Sequence, residues 1–173
     1  MHMDIVVLTE TRDGYDIDAS GWDAHVARIE AGLPEAIRAF VGAPWRYDFQ
    51  DPRCLHDARL QELVIREAES VAGRGNEVVL VLEGAWGGRI ELCYQRITRL
   101  RLDKSGGPDD GFGDLLVEEM VPADGQGFRH ELAFTEGSIL LEFSGFSEFR
   151  LDVPVRDAAA HDRWDGISAA PAG

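Results

Sequence analysis

The stretch Phe128-Arg129-His130-Glu131-Leu132-Ala133-Phe134 places Phe128, His130, Leu132 and Phe134 on one face of an extended chain and Arg129, Glu131 and Ala133 on the other. A period of two marks a half-buried strand, because successive side chains point to opposite faces. About six such segments run from Leu60 to Val153, near 59–70, 76–84, 88–102, 114–121, 127–135 and 138–153. Turn signals separate them at Gly73-Arg74-Gly75-Asn76, Gly87-Gly88, Gly106-Gly107-Pro108-Asp109-Asp110-Gly111, Asp124-Gly125-Gln126-Gly127 and Glu136-Gly137. The pattern predicts an antiparallel sheet with one face on a core. The third segment slips: Ile90, Leu92 and Tyr94 are in phase, Ile97 is not, and Leu100 and Leu102 return. One extra residue near Gln95-Arg96 reads as a bulge that bends a long strand. A second bend is expected at Ser144-Gly145.

Upstream, Asp4 to Thr9 reads as a short strand, continued as a hairpin through Asp13-Gly14 into Tyr15 to Asp18. Ser20 then offers a helix N-cap, with Asp23 three residues on. Trp22, Val26, Ile29, Leu33, Ile37 and Phe40 recur at spacings of three and four and form one apolar stripe. Pro34 interrupts it, which predicts two short helices over about 21–31 and 34–41 with Pro34 in the first turn of the second. The segment from Ala43 to Pro52 carries two prolines and three aromatics and reads as an extended crossing. From Pro154 the chain turns Ala- and Gly-rich, and 154–173 is expected to be a mobile tail that Trp164 tacks down. The fold class expected is α+β: a curved, mostly antiparallel sheet or partly closed barrel of about six to eight strands, with one or two N-terminal helices packed on it. Residues 1–153 form one domain in this reading, with 1–44 the strand and helices and 45–153 the meander.

A chain of 173 residues with 45% hydrophobic content suffices for one core. Its longest apolar run, Val78-Val79-Leu80-Val81-Leu82, falls far short of the ~20 residues that cross a bilayer. The opening Met1-His2-Met3-Asp4 lacks the basic and apolar stretches of a signal peptide, so a cytoplasmic protein is expected. Cys54 and Cys93 are 39 residues apart without a CxxC, which argues against a zinc site and a disulfide scaffold. Cys93 reads as a small core hydrophobe and Cys54 as a free loop thiol. Thirty-two acidic against 17 basic residues give a net charge of −15. That charge disfavours nucleic acid and anionic membranes, and it serves either solubility or the attraction of a basic protein partner.

Leu55-His56-Asp57-Ala58-Arg59 gathers His, Asp and Arg at the entrance to the first long strand, so His56, Asp57 and Arg59 are candidate binding residues. A carboxylate-held histidine is a base or a metal ligand, but adjacent residues of an extended chain face opposite ways and no companion ligands are near. The cluster is therefore expected to hydrogen-bond backbone where the crossing meets the sheet, with Asp57 accepting from backbone donors. Trp86, Tyr94, His130 and Phe143 would line a pocket inside a curved sheet. His130 by itself reads as a satisfied cross-strand histidine. The loop Asp109 to Asp114 is acidic, but without EF-hand spacing it reads as a solvated hairpin loop. Nucleophile, phosphate-cradling and HExxH motifs are absent, and no catalytic residue, metal or cofactor is assigned.

The run from Leu55-His56-Asp57-Ala58 through Gly113-Asp114-Leu115-Leu116, Phe128-Arg129-His130-Glu131-Leu132 and Leu140-Leu141-Glu142-Phe143 resembles a group of small bacterial β-rich proteins of uncharacterised function. These open on a His-Asp-Ala-type turn and continue as a meander, and some relatives are assigned as immunity proteins of polymorphic toxin systems. The resemblance covers about residues 45–153 and implies no catalytic residues. Three functional classes follow: a non-enzymatic, immunity-like protein that binds a basic protein; a small-molecule binder or enzyme with its pocket inside the sheet; and a structural module that forms a homodimer through an exposed sheet edge.

Overall fold

The alternating segments fold into two four-stranded antiparallel sheets, preceded by a hairpin and two short helices. The computed structural model describes residues 3–151 apart from 71, 72 and 126, so the tail expected over 154–173, with Trp164, lies outside the described residues. Strands β1 (Val7–Thr11) and β2 (Gly14–Asp18) form the hairpin. Helix α1 (Trp22–Ile29) passes through a 3-10 turn (Glu30–Gly32) to α2 (Glu35–Val41). Pro34 sits at the N-cap of α2, one position earlier than expected. Ser20 does not cap α1; Gly21 holds that place without a side-chain bond, and the Ser20 amide donates to Asp18 Oδ1 at 2.9 Å.

The meander comprises β3 (Arg59–Ser70), β4 (Gly73–Glu83), β5 (Arg89–Gln95), β6 (Arg99–Lys104), β7 (Leu115–Pro122), β8 (Phe128–Phe134), β9 (Gly137–Phe143) and β10 (Gly145–Leu151). One sheet has the order β10-β5-β4-β3 and the other β6-β9-β8-β7. This is the expected α+β, antiparallel architecture, divided into two sheets.

Both irregularities in the pattern are places where the chain changes sheet. The slip at Gln95-Arg96 ends β5 in the first sheet, and the chain resumes as β6 in the second; Arg96 takes a left-handed φ of 54°. The bend at Ser144-Gly145 carries β9 of the second sheet into β10 of the first. The crossings lie side by side: Ser144 N donates to the Gln95 carbonyl at 3.2 Å and Arg96 Nε to Ser144 Oγ at 2.7 Å. Asn76 braces them by bonding both the amide and the carbonyl of Ile97, at 2.7 and 3.0 Å.

Inward residues of both sheets and the stripe of the helices share one apolar cluster that includes Val26, Ile37, Phe40, Leu80, Leu92, Leu132 and Leu141. Helix α2 packs on β10, with the Phe40 and Phe146 rings 5.0 Å apart. Strand β7 is buried from Leu115 to Val121. Its Glu118 and Met120 share a face with β8 His130 and Leu132, while Glu119 turns to the other face and holds the amides of Asp4, Ile5 and Val6 at 2.7–2.8 Å. Cys54 is buried, free, and donates to the Arg46 carbonyl. Burial pushes its thiol up to about 11. Cys93 is also free, but it is only half-buried, because it alternates with the buried Leu92 and Tyr94 and points away from the core.

Candidate functional site

The crossing segment meets the sheets at the corner where β3 begins. The Asp57 amide donates to the Leu115 carbonyl and the Leu115 amide to the Ala58 carbonyl, both at 2.8 Å, which ties the start of β3 to the start of β7. His56 Nδ1 donates to the Leu116 carbonyl at 2.7 Å, and its ring stacks on Phe49 with centroids 4.3 Å apart. This is the backbone-bonding role expected of the cluster. Because a carbonyl only accepts, Nδ1 carries a proton.

Asp57 behaves differently from expectation. Its φ is +62°, so the chain is not extended there, and its carboxylate comes back to within 3.5 Å of His56 Nε2. The argument that neighbours face opposite ways fails at a left-handed residue. The carboxylate is exposed and makes no bond to a backbone donor; Asp tolerates this conformation better than most side chains, which accounts for its use at the turn. Arg59 Nε donates to Asp114 Oδ1 at 2.7 Å and pairs across the corner.

The corner opens into a recess of about 450 Å³, walled by Asp57, Arg59, Glu83 and Asp114 and by the β4–β5 turn at Gly84, Ala85 and Gly87. Three carboxylates face one guanidinium, and that guanidinium is already paired. Trp86 lies between lining residues of the turn and is 48% exposed. Among the described residues, no group of His, Cys, Asp and Glu is arranged to hold a metal ion.

Tyr94 and His130 lie elsewhere, in the space between the sheets. The pocket expected there with Trp86 and Phe143 is not formed: Tyr94 and His130 are fully buried, Phe143 packs against Tyr94 with centroids 5.0 Å apart, and Trp86 is out on its turn. Aromatic side chains fill the volume that a ligand would need.

What they form instead is a buried polar chain. Tyr94 Oη donates to His130 Nδ1 at 2.8 Å, His130 Nε2 donates to Glu118 Oε2 at 2.8 Å, and Glu118 Oε2 pairs with Arg46 Nη2. Tyr47 Oη donates to the Glu118 carbonyl at 2.7 Å. The Arg46 guanidinium lies 4.5 Å from the Trp22 ring centre and 4.6 Å from that of Phe40, so cation–π contacts replace part of its lost hydration.

Burial works against the Glu118 carboxylate, but Arg46 and the His130 hydrogen bond outweigh it and hold Glu118 below the usual range. Burial pushes His130 below its ordinary value despite Glu118. It also pushes the Tyr94 hydroxyl well up. The chain therefore holds an anionic Glu118, a cationic Arg46, a neutral His130 and a protonated Tyr94.

Arg46 and Glu118 escaped the sequence reading, although Leu115-Leu116-Val117-Glu118-Glu119-Met120-Val121 carries a signal. Two glutamates inside an unbroken apolar strand require buried partners. No described helix is long and apolar enough to cross a membrane. No protein-family model, curated protein or solved structure matches the chain.

Proposed function

We propose that this is a non-enzymatic binding protein whose partner is a basic protein, engaged at the corner recess between Asp57, Glu83, Asp114 and the Trp86 turn. The excess of carboxylates in that recess carries the reading: the Arg59 guanidinium is bound to Asp114, so an arriving lysine or arginine meets the charge of Asp57 and Glu83. The net charge of −15 supports it, since a negative field draws in a cationic partner and turns away nucleic acid. Trp86, half exposed beside the recess, suits an anchor, because interface energy concentrates on aromatics and arginines. An immunity protein that blocks a basic toxin would be one instance, and the resemblance of residues 45–153 leans the same way.

The test is to identify a partner by affinity capture from the native host and then titrate salt against binding of the purified pair. Affinity should fall steeply as salt rises, and the Asp57→Asn, Glu83→Gln double variant should bind about tenfold more weakly with a shallower salt slope. Asn keeps the left-handed turn open to position 57, so folding is preserved. Binding indifferent to both salt and the double variant would refute the reading.

A further inference from the structure

Strand β3 is twelve residues long and lies at the edge of its sheet. Beyond the single bridge from Arg59 to Asp114, no described strand pairs with its outer side. An edge of that length presents a row of unpaired amides and carbonyls, and proteins normally blunt such an edge with charge. Here the charges are self-complementary. In an antiparallel pairing of two identical strands about a two-fold axis, opposed residues have numbers whose sum is constant and even, because amides must meet carbonyls in matching pleat positions.

Centring the axis on Glu62 or Arg66 sets like charges against each other. Centring it on Leu63 leaves Glu62 opposite Val64, and centring it on Ile65 leaves Arg66 opposite Val64. Centred on Val64, the register sets Val64 against Val64 of the second copy, Leu63 against Ile65, and Glu62 against Arg66 twice over. All three pairs are favourable. Within the chain, Glu62, Val64 and Arg66 pair with Val81, Val79 and Glu77 on the face turned from the core. The new ion pairs would thus flank Val64 on one face, while Ile65, 60% exposed, gains a partner on the other.

We propose that β3 is a self-pairing edge, through which two copies of this chain join antiparallel in the register centred on Val64. The other edges are less suited. Helix α2 packs on β10, and β7 bonds to the start of β3. Strand β6 has six residues, its Arg101 and Asp103 already pair within the strand at 2.7 Å, and its best symmetric register sets Leu100 against Lys104.

A charge swap tests this, read by sedimentation equilibrium at about 0.15 M salt, where repulsion between the two net charges is screened beyond about 8 Å. The wild type should dimerise. Glu62→Arg sets Arg against Arg66 at both ends of the interface and should weaken the dimer about tenfold or more; Arg66→Glu should do the same with glutamates. The double variant Glu62→Arg, Arg66→Glu recreates both pairs with sign reversed and should restore dimerisation. Thermal midpoints confirm that each variant is folded, and Glu62→Arg is the cleaner single change because Arg66 also approaches Glu77 at 3.4 Å. A monomeric wild type at about 100 μM, a dimer that ignores the single changes, or a folded double variant that stays monomeric would each overturn the proposal.

Discussion

Arg46 illustrates how a single residue can commit a core. Its side chain is 1% exposed, and its charge is tolerable only because Glu118 and the rings of Trp22, Phe40 and Tyr47 stand against it. Replacing Glu118 with Leu removes the counter-charge and leaves a guanidinium without a partner, a loss of about 3–5 kcal/mol by analogy with other broken buried pairs. The Glu118→Leu, Arg46→Met double variant should recover most of that, since apolar groups of similar size often replace a buried pair without penalty. Urea unfolding of both variants decides it, and a double variant as unstable as the single would show that the aromatic cage requires the cation. At this scale the sequence was only partly legible. The apolar alternation around His130 fixed its face and its role as a satisfied interior histidine, but its partners come from β5, β7 and the crossing segment, which no local pattern connects. Asp57 was misread for a related reason: the sequence shows a carboxylate, whereas the structure uses the backbone freedom of an Asp.

Elements were read more successfully than residues, because periodicity is a local property. The strand segments and the break at Pro34 were visible, as were both phase slips. What a slip means was not visible, since a bulge and a change of sheet each displace the apolar phase by one residue; only the long-range pairing of β5 with β10 and of β6 with β9 distinguishes them. Glu119 shows an element held from afar. Its carboxylate, 1% exposed, takes three consecutive backbone amides from more than a hundred residues away and anchors the segment that leads into β1. Glu119→Ala leaves those donors without their acceptor, at a cost of about 3 kcal/mol, capped by whatever the N-terminal segment itself contributes if it detaches. Hydrogen exchange should show the amides of Ile5 and Val6 accelerating far more than those of β8 and β9. Uniform acceleration throughout the molecule would instead mean that the segment is integral to the core.

For the whole molecule, the buried chain and the acidic surface combine into a dependence on pH. His130 is held below its ordinary 6.5, so the unfolded chain takes up a proton there before the folded one does, and stability declines as pH falls below about 6.5. Glu118, held below its ordinary 4.5, adds a second decline as pH falls through and below that value. Glu148, raised by burial, acts in the opposite direction above 4.5, because there the unfolded chain has already lost a proton that the folded one retains. The His130 contribution can be isolated. His130→Gln keeps a donor for Glu118 and removes the titrating ring, so its thermal midpoint should start lower at pH 7.5 and then fall less than that of the wild type between pH 7 and about 5. Equal slopes for the two proteins over that interval would place the acid sensitivity outside the core, in the crowd of surface carboxylates, and would remove His130 from the account of how this fold responds to protons.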